Sequence, residues 1–146
     1  MPDYLGIDYG TKKVGLSWGD DTLGMAVPIN PIVGFGTLRE LIRRLAGVIE
    51  KKNPSALVLG YPLHMDGTEG RRVREVKAFA KTLRTHFNRP IYPMDERLTT
   101  FEARGNPLKN KRPSPSGRHD SLAATYILQD FLDQRQKGDG FDNFPL

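Results

Sequence analysis

Acidic side chains stand at three places in this sequence from which they could reach a common point. Asp8 ends a short apolar run, Asp95 and Glu96 follow another, and Asp120 opens the last predicted helix. Buried carboxylates repel one another unless a cation or a proton intervenes, and oxygen-only ligands suit hard ions such as Mg²⁺ or Mn²⁺. If these acids converge, two ions about 4 Å apart could stabilise the attacking and leaving oxygens of a phosphoryl displacement.

Each acid also has a purely structural explanation. Asp8 could close a turn ahead of Gly10, and Asp120 could cap its helix. Adjacent strand residues point to opposite faces, so only one of Asp95 and Glu96 is expected to face a shared site, while the other anchors a neighbour. Asp120 shares a helix face with the apolar positions 124, 127 and 131, so we expect it on the side that faces the sheet.

The apolar periodicity predicts the elements that must position these acids. Strands are expected over residues 4–8, 14–18, 25–33, 56–59 and 90–94. Helices are expected after the capping box of Thr37 and Glu40, along the apolar positions 73–87, and over 120–136, with a short helix at 99–104 and a loop at 105–117. A meander followed by alternating helices and strands predicts an α/β fold with a mixed sheet.

The bulk properties narrow the class of protein. The chain has 146 residues, a net charge of +5 and no cysteine. We expect one domain over residues 1–136 with a flexible tail at 137–146, no signal or transit peptide, no membrane span and a cytoplasmic location. The absence of cysteine excludes disulfides, thiolate zinc sites and cysteine nucleophiles, and the positive charge favours a polyanionic partner such as nucleic acid.

Basic residues near the acids are candidates for binding phosphate, although a solvated surface would explain them equally well. The segment 104–118 carries five basic residues and no acid. Such a loop at the mouth of a carboxylate site would hold phosphates by charge. The candidate substrate-binding residues are Lys12, Lys13, Arg71, Arg72, Arg97, Lys109, Lys111, Arg112 and Arg118.

Four segments in order resemble the motifs of the YqgF/RuvX family of Holliday-junction resolvases and pre-16S rRNA nucleases. They are residues 6–10 with 13–15, 59–68, 95–100 with 103, and 120–124 with 127–129. Four motifs with sensible spacing are specific, whereas one alone would be weak. Residues 104–119 depart from the family pattern: the segment is rich in Pro, Ser and Gly, and His119 stands where an aliphatic residue is common.

The resemblance implies an RNase H-like fold with a five-stranded mixed sheet whose first three strands are antiparallel. It implies that Asp8, Glu96 and Asp120 are the catalytic, metal-binding acids, with Asp95 as a further candidate ligand of Mg²⁺ or Mn²⁺. Water would then attack a phosphodiester of an RNA precursor or a branched DNA, leaving a 3′-hydroxyl and a 5′-phosphate. Symmetric cutting of a junction would favour a homodimer, and RNA processing would permit a monomer.

Two other functions stay open at this point. The segment 6–11 also resembles the phosphate-binding start of sugar kinases and actin-like ATPases, which need a second such domain around the nucleotide. The chain could also be a non-catalytic, basic nucleic-acid-binding module of the same fold. That module would bind without Mg²⁺ and without its acids.

Overall fold

The structure, a computed structural model, describes residues 2–61, 70–95 and 121–136. Within these residues, five strands form one sheet in the order β3-β2-β1-β4-β5, and three helices accompany it. Strands β1, β2 and β3 are mutually antiparallel, while β4 and β5 run parallel to β1, so the predicted five-stranded mixed sheet is confirmed. The elements are β1 Asp3–Asp8, β2 Lys13–Asp20, β3 Ala26–Val33, α1 Leu38–Lys52, β4 Ala56–Tyr61, α2 Arg71–His86, β5 Ile91–Asp95 and α3 Leu122–Gln136.

Several sequence predictions fall outside the described residues. These are the short helix at 99–104, the loop at 105–117 and the tail at 137–146. Among the helices that the structure describes, none is long and apolar enough to cross a membrane.

The edge position of β3 explains its composition. Pro28 and Pro31 lie in this strand, and neither can donate a backbone hydrogen bond to a neighbour. Among the described strands only β2 pairs with β3, and the pairing shifts register between Val14 and Leu16 because β3 carries one extra residue there. The prediction of an irregular or edge strand is confirmed.

The start of α1 shows the predicted cap with one difference. The Glu40 backbone N–H donates to the Thr37 hydroxyl at 3.1 Å, as an N-cap requires. The Glu40 carboxylate accepts from the Gly36 N–H at 3.2 Å, one residue before the group that a capping box uses. Four apolar residues then recur at helical spacing and are buried, namely Leu41, Ile42, Leu45 and Ile49.

The core has two parts, one on each side of the sheet. We call the side that packs against α1 and α2 the α1/α2 face, where Leu5, Ile7 and Leu59 join a large cluster. We call the other side the α3 face, where Val58 and Met94 pack with residues of α3. Strand alternation therefore assigns each side chain of the central strands to one face.

Helix α3 approaches the sheet closely because small residues lie beneath it. A Cβ added to Gly6 would meet the Ser17 Oγ at 2.2 Å and the Leu128 Cβ at 2.9 Å. Ala124 is fully buried, as its position on the apolar side of the predicted helix requires. This packing sets where the first turn of α3 meets the sheet.

Candidate active site at the carboxyl edge of the sheet

Three parallel strands end at the same edge of the sheet. Register pairs Ile7 with Leu59 and Tyr61 with Asp95, so β1, β4 and β5 present their carboxyl ends side by side. Ligand and catalytic sites of open α/β sheets gather at such edges. Asp8 is the last residue of β1 and Asp95 the last of β5.

The two described acids at this edge point to opposite faces. Asp8 lies between Ile7 and Tyr9, both of which pack on the α1/α2 face, so its side chain is directed to the α3 face. Asp95 follows Met94, which packs on the α3 face, so Asp95 is directed to the α1/α2 face. Alternation alone thus separates Asp95 from Asp8, which disfavours a site shared by these two carboxylates.

Asp8 is held by the first turn of α2. Its Oδ1 lies 3.3 Å from Nη2 of Arg72, and the other guanidinium nitrogen donates to the Tyr9 carbonyl oxygen. Burial raises the pKa of the Asp8 carboxyl above its ordinary value, because desolvation penalises the charged form. The positive charges of Arg72 and Lys13 offset that effect only in part.

Aromatic stacking fixes the end of β1 against α2. The Tyr9 and Phe79 rings stack with centroids 4.0 Å apart and planes 13° apart. Burial, followed by the charge of Glu75, raises the Tyr9 pKa, so its hydroxyl stays protonated at neutral pH. Glu75 in turn accepts from Arg71 Nε at 2.9 Å, so the first turn of α2 carries a second, separate ion pair.

A buried serine anchors the start of α3 to the irregular part of the sheet. The Ser121 hydroxyl accepts from the Leu16 N–H at 3.1 Å and donates to the Ile29 carbonyl at 2.7 Å. These two residues are paired at the register shift between β2 and β3. The hydroxyl therefore supplies hydrogen bonds to backbone groups at the point where the ladder is disturbed.

Ser121 and Ser17 were not identified from the sequence as residues that join the start of α3 to the sheet. The Ser17 hydroxyl donates to the Ala124 carbonyl at 2.7 Å and is fully buried. One signal in β2 could have indicated Ser17: this strand alternates large apolar residues with the small residues Gly15, Ser17 and Gly19. A row of small residues on one face predicts a closely packed helix on that face.

The structure locates only some of the predicted site residues. Arg71 and Arg72 begin α2 at the same edge as Asp8, and Lys12 and Lys13 lie in the exposed turn and first position of β2. The remaining candidates lie outside the described residues, namely Glu96, Asp120, Arg97, Lys109, Lys111, Arg112 and Arg118. For these residues the sequence assignments stay predictions.

The donor chemistry at the edge suits a hard divalent cation. The Asp8 carboxylate and the Tyr9 carbonyl offer oxygen ligands, and the chain has no cysteine to favour a softer metal. Among the described residues no group of three His, Asp or Glu side chains is placed to hold a metal ion. Glu96 follows Asp95 in the chain and lies outside the described residues, so its role as a ligand stays a prediction.

Comparison with known families gives one match over nearly the whole chain. The model of RuvX, described as Holliday junction resolvase, matches residues 2–134. A protein of Opitutus terrae named "Putative pre-16S rRNA nuclease" is 42% identical over 134 residues, covering 90% of this chain and 91% of its own. Proteins of the same name from Pseudomonas fluorescens and Rickettsia rickettsii are each 37% identical, covering 89% and 88% of this chain and 91% and 84% of their own.

Solved structures resemble the fold at low sequence identity. RuvC of T. thermophilus in complex with a Holliday junction substrate has a TM-score of 0.57 and 17% identity, with all of both chains covered. The Fowlpox virus resolvase bound to Holliday junction DNA has a TM-score of 0.50 and 14% identity, covering 89% of this chain and 98% of its own. At these identities the likeness establishes the RNase H-like fold.

Proposed function

The chain belongs to the RuvX family, and from that premise we propose that it is a metal-dependent endonuclease that hydrolyses phosphodiester bonds of structured nucleic acid. The observation that carries the proposal is the placement of Asp8. Its carboxylate lies at the carboxyl edge of the parallel strands and is directed to the face of the sheet on which α3 packs, which supports a role as a ligand of an ion on that face. A turn aspartate would not need to be withdrawn from water.

In this proposal Asp8, Glu96 and Asp120 hold the cofactor, Mg²⁺ or Mn²⁺. When bound, the ions would supply Lewis acidity and a more acidic attacking water. Asp8 contributes a ligand whose direction is set by β1 and by the Tyr9–Phe79 stack. Asp95 is less suitable as a metal ligand at this site, since its side chain is directed to the opposite face of the sheet.

The distribution of charge supports a polyanionic substrate. Helix α2 carries six basic residues and one acidic residue, a net charge of +5 that equals the net charge of the entire chain. Its single acid, Glu75, is paired with Arg71. The rest of the chain is neutral overall, although segment 104–118 carries five further basic residues, and α2 is the basic helix whose first turn contacts Asp8.

The exposed basic residues of α2 form a line that begins near the candidate site. Arg74, Lys77, Lys81 and Arg84 are exposed and follow one another at intervals of three, four and three residues. Residues at these intervals share one side of a helix, and the line is about 15 Å long at 1.5 Å per residue. This basic line would follow the backbone of a strand that leaves the site.

An RNA precursor is the substrate that we propose first. Relatives up to 42% identical carry the name of a pre-16S rRNA nuclease, which favours RNA. The second candidate is a four-way DNA junction, because the matching family model is described as a Holliday junction resolvase. A junction substrate would favour a homodimer, and an RNA substrate would be compatible with a monomer.

Cleavage assays test the proposal. Purified protein is incubated with a 16S rRNA precursor, a four-way junction, duplex DNA and single strands, each with Mg²⁺, Mn²⁺ or a chelator. We expect metal-dependent cleavage that falls about 100-fold or more in Asp8→Asn and Glu96→Gln, since a lost ligand removes several kcal/mol of transition-state stabilisation.

Asp95→Asn serves as the matched control, because it removes a neighbouring carboxylate from the opposite face. Once melting curves show that this variant is folded, it should retain most of the activity. Binding without cleavage of any substrate would instead indicate a non-catalytic nucleic-acid-binding module. Cleavage that Asp8→Asn leaves unchanged would refute the assignment of the site.

A further inference from the structure

Arg72 occupies the place that a cation would take at the end of β1. Its guanidinium contacts two oxygen atoms at once, the Oδ1 of Asp8 and the carbonyl oxygen of Tyr9. Both are hard oxygen donors of the kind that Mg²⁺ and Mn²⁺ prefer. The contact joins residues 64 positions apart in the sequence and depends on α2 beginning at the carboxyl edge of the sheet.

The contact between Arg72 and Asp8 is of a kind that an incoming ion can replace. The nitrogen–oxygen distance is 3.3 Å, and the Arg72 side chain is 37% exposed. Partly exposed ion pairs at such distances contribute little free energy, and an arginine at a helix surface can move its guanidinium to another acceptor. The Asp8 side chain is 27% exposed and can therefore be reached from solvent.

We propose that Arg72 is a displaceable cation, which neutralises Asp8 in the metal-free protein and transfers to a substrate phosphate when a divalent ion binds. This inference rests on the proposed function, since it takes Asp8 to be a metal ligand. The ion and the guanidinium compete for the same carboxylate, and their like charges repel. Once displaced, Arg72 lies in the first turn of α2, beside the exposed Arg71.

The consequence is a coupling between metal and nucleic acid. Metal binding releases a guanidinium that is well suited to a phosphate, and phosphate binding removes a competitor from Asp8. By linkage, each ligand must then raise the affinity of the other by the same factor. If Arg72 took part in neither event, metal binding and nucleic-acid binding would be independent apart from general charge effects.

Metal titration of chelator-stripped protein tests the competition. Mn²⁺ affinity is measured by calorimetry for the wild type, Arg72→Met and Arg71→Met. Arg71 is the matched control, because it is the preceding residue with the same charge but pairs with Glu75 instead of Asp8. We expect Arg72→Met to bind Mn²⁺ about 2–5-fold more tightly than Arg71→Met, and Arg72→Lys, which keeps the charge, to lie between them.

Nucleic-acid binding tests the transfer. Affinity for a stem–loop RNA and for a four-way junction is measured with chelator and with Ca²⁺, and gels verify that the strands stay intact. In the wild type and Arg71→Met, Ca²⁺ should raise the affinity by a larger factor than in Arg72→Met.

Two outcomes would overturn the inference. Equal Mn²⁺ affinity in Arg72→Met and Arg71→Met would show that Arg72 does not compete, and weaker binding in Arg72→Met would make it an organiser of Asp8. A failure of the proposed function has a different signature. In that case Asp8→Asn would bind Mn²⁺ with the same affinity as the wild type, whatever the affinities of the arginine variants are.

Discussion

At the scale of single residues, Asp8 is placed at a cost to the fold. Its carboxylate is partly withdrawn from water, and the neighbouring charges of Arg72 and Lys13 compensate only part of the lost hydration, so its pKa is raised. A folded protein tolerates such a group where function requires it. Because its charge is only partly compensated, the Asp8 carboxylate also attracts a divalent ion strongly.

This raised pKa predicts how stability depends on pH. From the ordinary value of 3.8 up to the raised value, the folded protein holds a proton that the unfolded chain has released. The free energy of unfolding should therefore fall as the pH rises through this window and level off above it. Asp8→Asn removes this penalty, so its melting temperature in chelator should exceed that of the wild type at pH 7 and lose this advantage near pH 3.

Melting curves in chelator between pH 3 and pH 8 measure the effect, with about 2–4 °C expected for each kcal/mol in a domain of this size. Adding Mn²⁺ should stabilise the wild type more than Asp8→Asn. A difference between the two proteins that does not change with pH would contradict the assigned cause.

At the scale of elements, the docking of α3 on the sheet is fixed by two buried serines and by a glycine beneath the helix. Ser121 bridges β2 and β3 at their register shift, Ser17 bonds the Ala124 carbonyl, and Gly6 leaves the space beneath the helix. Buried hydroxyls with both a donor and an acceptor partner fix a helix more exactly than apolar contact alone. The position that precedes Ser121 in the chain is Asp120, so this anchor acts next to a predicted ligand.

Ser121→Ala should destabilise the protein by about 1–3 kcal/mol, because the buried Leu16 N–H and the Ile29 carbonyl lose the hydroxyl that bonds them. Thr125→Ala is the control: among the described residues its hydroxyl donates to the Ser121 carbonyl one turn earlier, so the change should stay within about 0.5 kcal/mol. Urea denaturation measures both. Similar values for the two variants would show that Ser121 is not an anchor.

Gly6→Ala should destabilise the protein by about 1–3 kcal/mol, because the added Cβ would lie 2.9 Å from the Leu128 Cβ and 3.1 Å from the Ala124 carbonyl. Gly47→Ala should change the free energy of unfolding in the opposite direction. A Cβ at that position in α1 meets no atom within 4 Å, so the substitution should stabilise the helix by about 0.5–1 kcal/mol. Urea midpoints that shift the same way in both variants would contradict the packing described for α3.

At the scale of the whole molecule, charge is distributed unevenly between the helices. Helix α2 carries a net +5, whereas α3 carries two acids and one arginine. A surface of this kind attracts a polyanion over the Debye length of about 10 Å at 0.1 M salt. Nucleic-acid binding should therefore be salt-dependent and should involve α2.

Replacing Lys77, Lys81 and Arg84 with Gln should make the affinity for double-stranded DNA less dependent on salt. The slope of log affinity against log salt concentration should fall in magnitude by about 2–3, because each phosphate contact contributes about 0.9. The matched control replaces Arg39, Arg43 and Lys51, three exposed basic residues of α1, and removes the same charge. Filter binding over a salt series compares the two. Equal slopes would show that net charge, and not the basic line, accounts for the binding.

Much of this architecture could be predicted from the sequence, because the relevant signals are local. The alternation in β2, the cap at Thr37 and the buried stripe of Ala124, Ile127 and Phe131 each depend on residues a few positions apart. The four motifs likewise indicated the family, which the family model confirmed. The assignment of Glu96 and Asp120 as ligands stays a prediction.

The sequence by itself determined the order and kind of the elements, the edge character of β3 and the position of Asp8 at the end of a strand. Only the tertiary structure decided which face of the sheet Asp95 takes, that Ser121 bridges a register shift and that Arg72 contacts Asp8. The reason is physical. Periodicity is encoded in neighbouring residues, whereas contacts between residues 64 to 105 positions apart exist only once the sheet order brings distant strands and helices together.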